Sequence, residues 1–179
     1  TGNDTTIGGV TAVSNFENHD YIIYDPAVDK GSMFFDNSVL GFSVNDANAV
    51  HLYKNGDLAI SAASASSVGV GSNLLAFQPE DIVRYDPIKG TAIMLFDGSQ
   101  IFDGPISSDH NIDAVYVRDD GRIVFSTVGP ASITYAGPTT VSFARGDIVE
   151  YNPVGGTATI LVNADDANIF GVGSDVQVD

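Results

Sequence analysis

The chain has 179 residues, 44% of them hydrophobic, and sets seven Lys and Arg against 23 Asp and Glu for a formal net charge of -16. That is enough apolar material for one domain with its own core, under a surface that nucleic-acid phosphates and anionic lipid would repel. Without cysteine there is no disulfide scaffold, zinc finger, iron–sulfur cluster or thiol nucleophile, and no apolar run approaches the roughly 20 residues of a membrane helix. No signal-peptide pattern opens the chain, which reads as soluble or already processed material.

Taken in order, the segments repeat. FENHDYIIYDP (Phe16 to Pro26) returns as FQPEDIVRYDP (Phe77 to Pro87) and as FARGDIVEYNP (Phe143 to Pro153), 61 and then 66 residues later. Each copy runs into a second apolar stretch, GSMFFD (Gly31 to Asp36), GTAIMLFDG (Gly90 to Gly98) and GTATILVN (Gly156 to Asn163). Ahead of the last two copies stands another matched pair, ANAVHLYKNGDLAIS (Ala47 to Ser61) and IDAVYVRDDGRIVFS (Ile112 to Ser126). Such periodicity is weighed before any other feature, because it sets the architecture.

Four apolar segments per unit, A to D, alternate in the manner of strands and are rich in β-branched and aromatic residues. The A–B links carry Asn55-Gly56 and Asp120-Gly121, which predict two-residue hairpin turns. Pro and Gly in the C–D links predict a second hairpin. The B–C links, Ala62 to Ala76 and Thr127 to Ser142, read as exposed Gly- and Ser-rich loops. No helical apolar stripe stands out.

The expectation is an all-β chain of tandem four-stranded antiparallel β-meanders, propeller-like blades forming an incomplete ring, with a β-sandwich as the alternative. The chain divides into a single repeat domain, 1–179, with a partial unit at 5–42, full units at 43–106 and 107–171, and the start of a further unit at 172–179. Two full units fall short of the four blades at which rings close, so uncovered faces and edges call for self-association or for flanking repeats of a longer chain.

Phe96-Asp97-Gly98-Ser99, Asp109 to Val115, Asp120-Gly121, Asp147 to Pro153 and Gly156-Thr157 together resemble an uncharacterised tandem repeat of large secreted or surface-attached bacterial proteins. The resemblance covers nearly all of residues 5 to 179. It implies an extracellular or cell-surface location and little about chemistry. Asn48 stands where the pattern has the aspartate found at Asp113, and Asn163 where it has that of Asp97, which weakens any site needing both carboxylates in every unit.

In an up-and-down meander the starts of A and C and the ends of B and D share one rim. Most acids fall there, while the turn rim mixes acids with Lys30, Lys54, Lys89, Arg118 and Arg122. Crowded carboxylates suit a hard cation, so Ca²⁺ is the expected cofactor, with Asp20, Asp36, Asp81, Asp97, Asp109, Asp113 and Asp147 as metal ligands. The competing reading has each aspartate bonding turn amides and tying a strand end, with the excess charge maintaining solubility.

Catalytic patterns are missing: there is no G-x-S-x-G elbow, H-E-x-x-H pair or Walker loop. His19, His51 and His110 occupy unlike positions in the units and read as solvent-exposed. Tyr24, Tyr85 and Tyr151, with Phe16, Phe77 and Phe143, read as core or inter-unit packing. The functional expectation is a non-catalytic extracellular structural or adhesive module, calcium-stabilised, that self-assembles or belongs to a longer surface protein. The alternative is a carbohydrate-binding or glycoside-hydrolysing module using rim acids such as Asp81 and Asp113. Its partner would be a glycan or a surface protein; nucleic acid and membrane insertion are not expected.

Overall fold

A computed structural model of the chain describes residues 20–35, 47–135 and 139–164. Strands β1 (Tyr21–Asp25) and β2 (Lys30–Phe35) form a hairpin. Strands β3 (Ala47–Leu52), β4 (Leu58–Ala62), β7 (Ile82–Asp86) and β8 (Thr91–Phe96) form a four-stranded antiparallel sheet in chain order. Strands β9 (Ile112–Val117), β10 (Ile123–Thr127), β13 (Ile148–Asn152) and β14 (Thr157–Val162) form a second one. These are the two matching meanders; among the described residues they close no ring.

The units agree in register. Leu58 opposes Tyr85 and Ile60 opposes Val83, as Ile123 opposes Tyr151 and Phe125 opposes Val149. A bulge interrupts the C–D pairing at Tyr21/Ile22, at Ile82/Val83 and at Ile148/Val149, the same place in all three copies. A bulge inserts a residue on one strand and bends it, so its recurrence fixes how each D strand leaves its sheet.

Two features differ from the sequence reading. The A–B turns are three-residue loops: Gly56 N–H donates to the Tyr53 carbonyl at 2.9 Å and Tyr53 N–H to the Asp57 carbonyl at 2.9 Å, a pattern repeated by Gly121, Arg118 and Arg122. Only the glycines, at φ of 90° and 84°, enter the left-handed region. A two-residue turn would need positive φ at the preceding Asn or Asp as well; a type I turn closed by a glycine bulge does not. The B–C links, in turn, are not plain loops. Each holds a short hairpin, β5 (Ser66–Val68) with β6 (Leu75–Phe77) and β11 (Ala131–Tyr135) with β12 (Thr139–Phe143). Each hairpin delivers one apolar residue from its first strand, Val68 or Ile133, and one Phe, Phe77 or Phe143, to the core.

Alternation along each strand gives a sheet two faces. In the first sheet, Leu58, Ile60, Val83 and Tyr85 face back, burying themselves with Val68 and Phe77 against Tyr21 of the hairpin. Ala49, Ala59, Ile82 and Phe96 face forward, against Ile123, Phe125, Ile133, Phe143, Val149 and Tyr151 of the next unit. All five residues of β4 are buried because both its faces are covered. Stacking is therefore head to tail: each sheet turns the same face toward its predecessor. Phe96 anchors the joint, 5.1 Å from the Phe125 ring and 5.3 Å edge-on from Tyr151.

Polar ties reinforce the joint. Ile112 N–H donates to the Pro79 carbonyl at 3.0 Å, and Asn48 Nδ2 to the Ile112 carbonyl at 3.2 Å. After β8 one helical turn (α1, Gly98–Ile101) sends the chain across to the second unit, where Phe102 bridges to Ile133 and Asp103 N–H donates to the Ser132 carbonyl at 2.9 Å.

Phe77, Phe143, Tyr85 and Tyr151 are buried as expected, but Tyr24 is 46% exposed, its hydroxyl donating to Asp29. Phe16 lies outside the described residues.

Candidate functional site

The two rims have different chemistry. On the acidic rim, Asp81 and Asp147 are both buried and make the same bonds. Asp81 Oδ2 accepts from Gln78 N–H at 2.8 Å and Oδ1 from Gly98 N–H at 2.9 Å. Asp147 Oδ2 accepts from Ala144 N–H at 2.8 Å and Oδ1 from Ala164 N–H at 2.8 Å. Each carboxylate thus closes the turn before strand C and pins the backbone leaving strand D. That is the amide-bonding role weighed above as the alternative to metal binding.

The remaining candidates are spread along the rim. Asp97 sits at the end of β8 and accepts from the Ser99 hydroxyl at 2.6 Å and from the Gln100 amide. Asp109 is exposed in a 3-10 turn, where its carbonyl accepts from Gly129 N–H at 2.8 Å. Asp113 is half-buried at the start of β9, and Asp20 half-buried just ahead of β1. Asp36 lies outside the described residues. The structure brings Asp81 near Asp97 and Glu80, whose charges oppose one another. Among the described residues, no three His, Asp or Glu side chains are grouped to hold a metal ion.

Burial pushes the Glu80 and Asp81 carboxyls above their ordinary values, and neighbouring Asp97 adds to the effect. His110 is buried rather than solvent-exposed: its Nδ1 accepts from Ser107 N–H at 3.1 Å and its ring packs at a tilt against Phe102, centroids 5.1 Å apart. His19 lies outside the described residues.

The turn rim holds what sequence reasoning missed. A pocket of about 690 Å³ opens between the two sheets, lined on one side by His51, Tyr53, Lys54 and Arg84 and on the other by Tyr116 and Arg118. His51 meets Tyr53 and Tyr116 edge-on, each at 4.9 Å, so three rings run across the joint. The Arg84 guanidinium lies 4.4 Å over the Tyr53 ring and bonds Asp57 at 2.6 Å. Arg118 pairs with Glu150 at 2.8 Å, and Lys54 reaches across to Asp119 at 2.8 Å. Burial pushes the His51 imidazole down, with Asp119 opposing it.

One sequence signal could have found this pocket. His51, Tyr53, Lys54 and Arg84 are matched in the second unit by Tyr116, Arg118, Asp119 and Glu150, so the units are unlike at this rim while their cores are alike.

No family model matches the chain, and no curated protein does. Among solved structures it is similar to part of the extracellular domain of BT4673 from B. thetaiotaomicron, described as a one component system, at 9% identity and a TM-score of 0.28. That match covers 75% of this chain and spans 24% of the other. Among the described residues, no helix is long and apolar enough to cross a membrane.

Proposed function

We propose that this chain is a non-catalytic structural module of an extracellular repeat array, in which sheets stack head to tail and each forward face receives the back face of a further copy. One observation carries the reading. The forward face of the first sheet, Ala49, Ala59, Ile82 and Phe96, is buried by the second unit, whereas its counterparts Ala114, Val124, Ile148 and Val162 on the second sheet are only half-buried. A contact that is heterologous inside the chain can propagate between chains in the same sense.

Light scattering of the whole chain over a concentration series tests this. Average mass rises with concentration, and Val124→Lys with Ile148→Lys abolishes the rise while leaving the melting temperature within a few degrees of the parent. A monomer at every concentration overturns the reading. The extracellular setting is supported by the repeat's resemblance to secreted proteins and by the acidic surface.

Calcium on the acidic rim belongs to the same proposal, supported by charge alone. A chelator that lowers the melting midpoint supports it, and an unchanged midpoint removes it. The sugar-cleaving alternative asked Asp81 to act on a substrate, and Asp81 is 5% exposed with both oxygens bonded to backbone amides.

A further inference from the structure

We infer that the pocket between the two sheets on the turn rim is a binding site for a neutral saccharide. The site lies at the joint between the two stacked sheets, on the rim opposite the carboxylates Asp81 and Asp113.

Charge decides the class of ligand. Three of the chain's seven Lys and Arg residues line this pocket, in a molecule of net charge -16. Each already has a carboxylate partner: Arg84 has Asp57, Arg118 has Glu150 and Lys54 has Asp119, at 2.6, 2.8 and 2.8 Å. An anion entering would find no uncompensated cation and would approach against the field of the whole molecule. A cation would find carboxylates that are likewise engaged. What the lining offers is two guanidinium forks, each held by a largely buried carboxylate, beside the exposed Lys54–Asp119 pair, which suits an uncharged ligand rich in hydroxyls. A guanidinium presents five N–H donors in a rigid fork, and a carboxylate such as Asp119 accepts from a hydroxyl.

Ring geometry narrows the class further. Tyr116 is 55% exposed, with His51 perpendicular to it on one side, so much of its ring surface is accessible to a ligand. Tyr53 has a face taken by Arg84, and that contact fixes the guanidinium in place. An aromatic face beside hydrogen-bonding forks matches a pyranose, whose C–H face packs on a ring while its hydroxyls bond at the edge. Met94, Leu95 and Ile123 supply apolar wall, and the volume lies within the ordinary range of ligand pockets.

Position in the repeat supports the assignment. A site needs several distinct groups in one place, and this is where the two units present unlike side chains across their joint. The unlikeness is not spread through the molecule: core positions 58, 60, 83 and 85 are apolar or Tyr in one unit, as are 123, 125, 149 and 151 in the other.

The test is titration of the whole chain with neutral tetrasaccharides of gluco, manno and galacto configuration, and with tetragalacturonate, followed by saturation-transfer NMR and calorimetry. At least one neutral tetrasaccharide binds with a Kd on the order of 1 mM or tighter. Tyr116→Ala weakens it at least about tenfold, whereas Tyr116→Phe, which keeps the ring, binds as the parent does. Asp97→Asn on the opposite rim leaves affinity unchanged, and melting temperatures show that all three variants are folded. The assignment is overturned if no neutral tetrasaccharide binds, if tetragalacturonate binds more tightly than every neutral one, or if Tyr116→Ala binds as well as the parent.

Discussion

Arg84 and Glu150 occupy the same place in successive sheets and carry opposite charges. Arg84 stands opposite Ala59 in β7, and Glu150 opposite Val124 in β13. Each pairs with the residue just ahead of strand B: Arg84 with Asp57 at 2.6 Å, Glu150 with Arg122 at 2.7 Å. The ion pair is kept while its polarity is reversed.

That reversal predicts a rescue. Arg84→Glu sets two carboxylates against each other beside a largely buried Asp57 and costs about 1–2 kcal/mol, above the 0–1 kcal/mol of an exposed pair because Asp57 is desolvated. Adding Asp57→Arg gives the first sheet the polarity of the second and recovers most of the loss. Urea unfolding of the single and double variants measures both, and a double variant no more stable than Arg84→Glu would show that the positions are not interchangeable.

The same comparison shows how much was legible in the sequence. Strands A to D and their hairpin order could be read because apolar alternation and turn residues recur in each unit, and local patterning there agrees with tertiary packing. The inserted hairpin β5–β6 could not, since Ser66, Ser67 and the Gly-rich stretch between them and Phe77 carry little strand propensity and pair through context; β11–β12 has strand formers in Ile133, Thr134, Tyr135 and Val141, but Gly129-Pro130 and Gly137-Pro138 beside them read as loop. His110 was misread because only the capping turn at Ser107 and the Phe102 ring show why an imidazole is buried there. The turn-rim pocket is marked in the sequence only by unlike residues at matched positions: Tyr53, Lys54 and Arg118 look like ordinary turn neighbours until the two sheets are placed face to face.

Asp81 and Asp147 predict equal and separable costs. Each gives two backbone amides their acceptor, and hydrogen bonds to a charged group contribute about 1.5–3 kcal/mol. Asp81→Ala and Asp147→Ala each lower stability by roughly 2–4 kcal/mol, because two such bonds are lost together and the buried amides are left without their partners. Asp81→Asn keeps one acceptor oxygen and loses less. Chemical denaturation gives the values; a cost under about 0.5 kcal/mol, the size expected at an ordinary surface position, would show that the bonds are incidental.

Gly98 and Ala164 predict an asymmetry at equivalent positions. A Cβ at Gly98 would lie 2.3 Å from the Glu80 carbonyl oxygen, so backbone must move to admit it. In the second unit Ala164 fills the same place and is buried, its N–H bonded to Asp147 as that of Gly98 is to Asp81. Gly98→Ala therefore destabilises by about 1–3 kcal/mol, the usual range for overpacking, whereas Ala164→Gly loses only a methyl group's burial and some chain entropy, about 1 kcal/mol. Equal effects on the thermal midpoint would contradict the steric account.

Acidity predicts the last outcome. Burial first, then a neighbouring carboxylate, Asp81 for Glu80 and Asp97 for Asp81, holds Glu80 and Asp81 above their ordinary values of 4.5 and 3.8, so the folded state binds these protons more tightly than the unfolded chain does. Stability from that source is fully present below the ordinary values and is lost as pH rises through the folded ones. Asp86 and Asp120 act in the opposite sense: Lys89 and Arg122 hold them below 3.8, and what they contribute is lost as pH falls through their folded values. Repulsion among the carboxylates of a chain of net charge -16 also eases on mild acidification. In a His51→Gln background, which removes an imidazole that burial pushes below 6.5 and that acts in the opposite sense, the chain is more resistant to urea near about pH 5 than near about pH 7.5, because there the unfolded state binds fewer protons than the folded one. Glu80→Gln removes one of the two proton sites without removing an amide's acceptor, and it flattens the dependence over that interval. A midpoint that rises steadily from pH 5 to 7.5, or a slope unchanged in Glu80→Gln, would place the responsible carboxylates elsewhere on the rim.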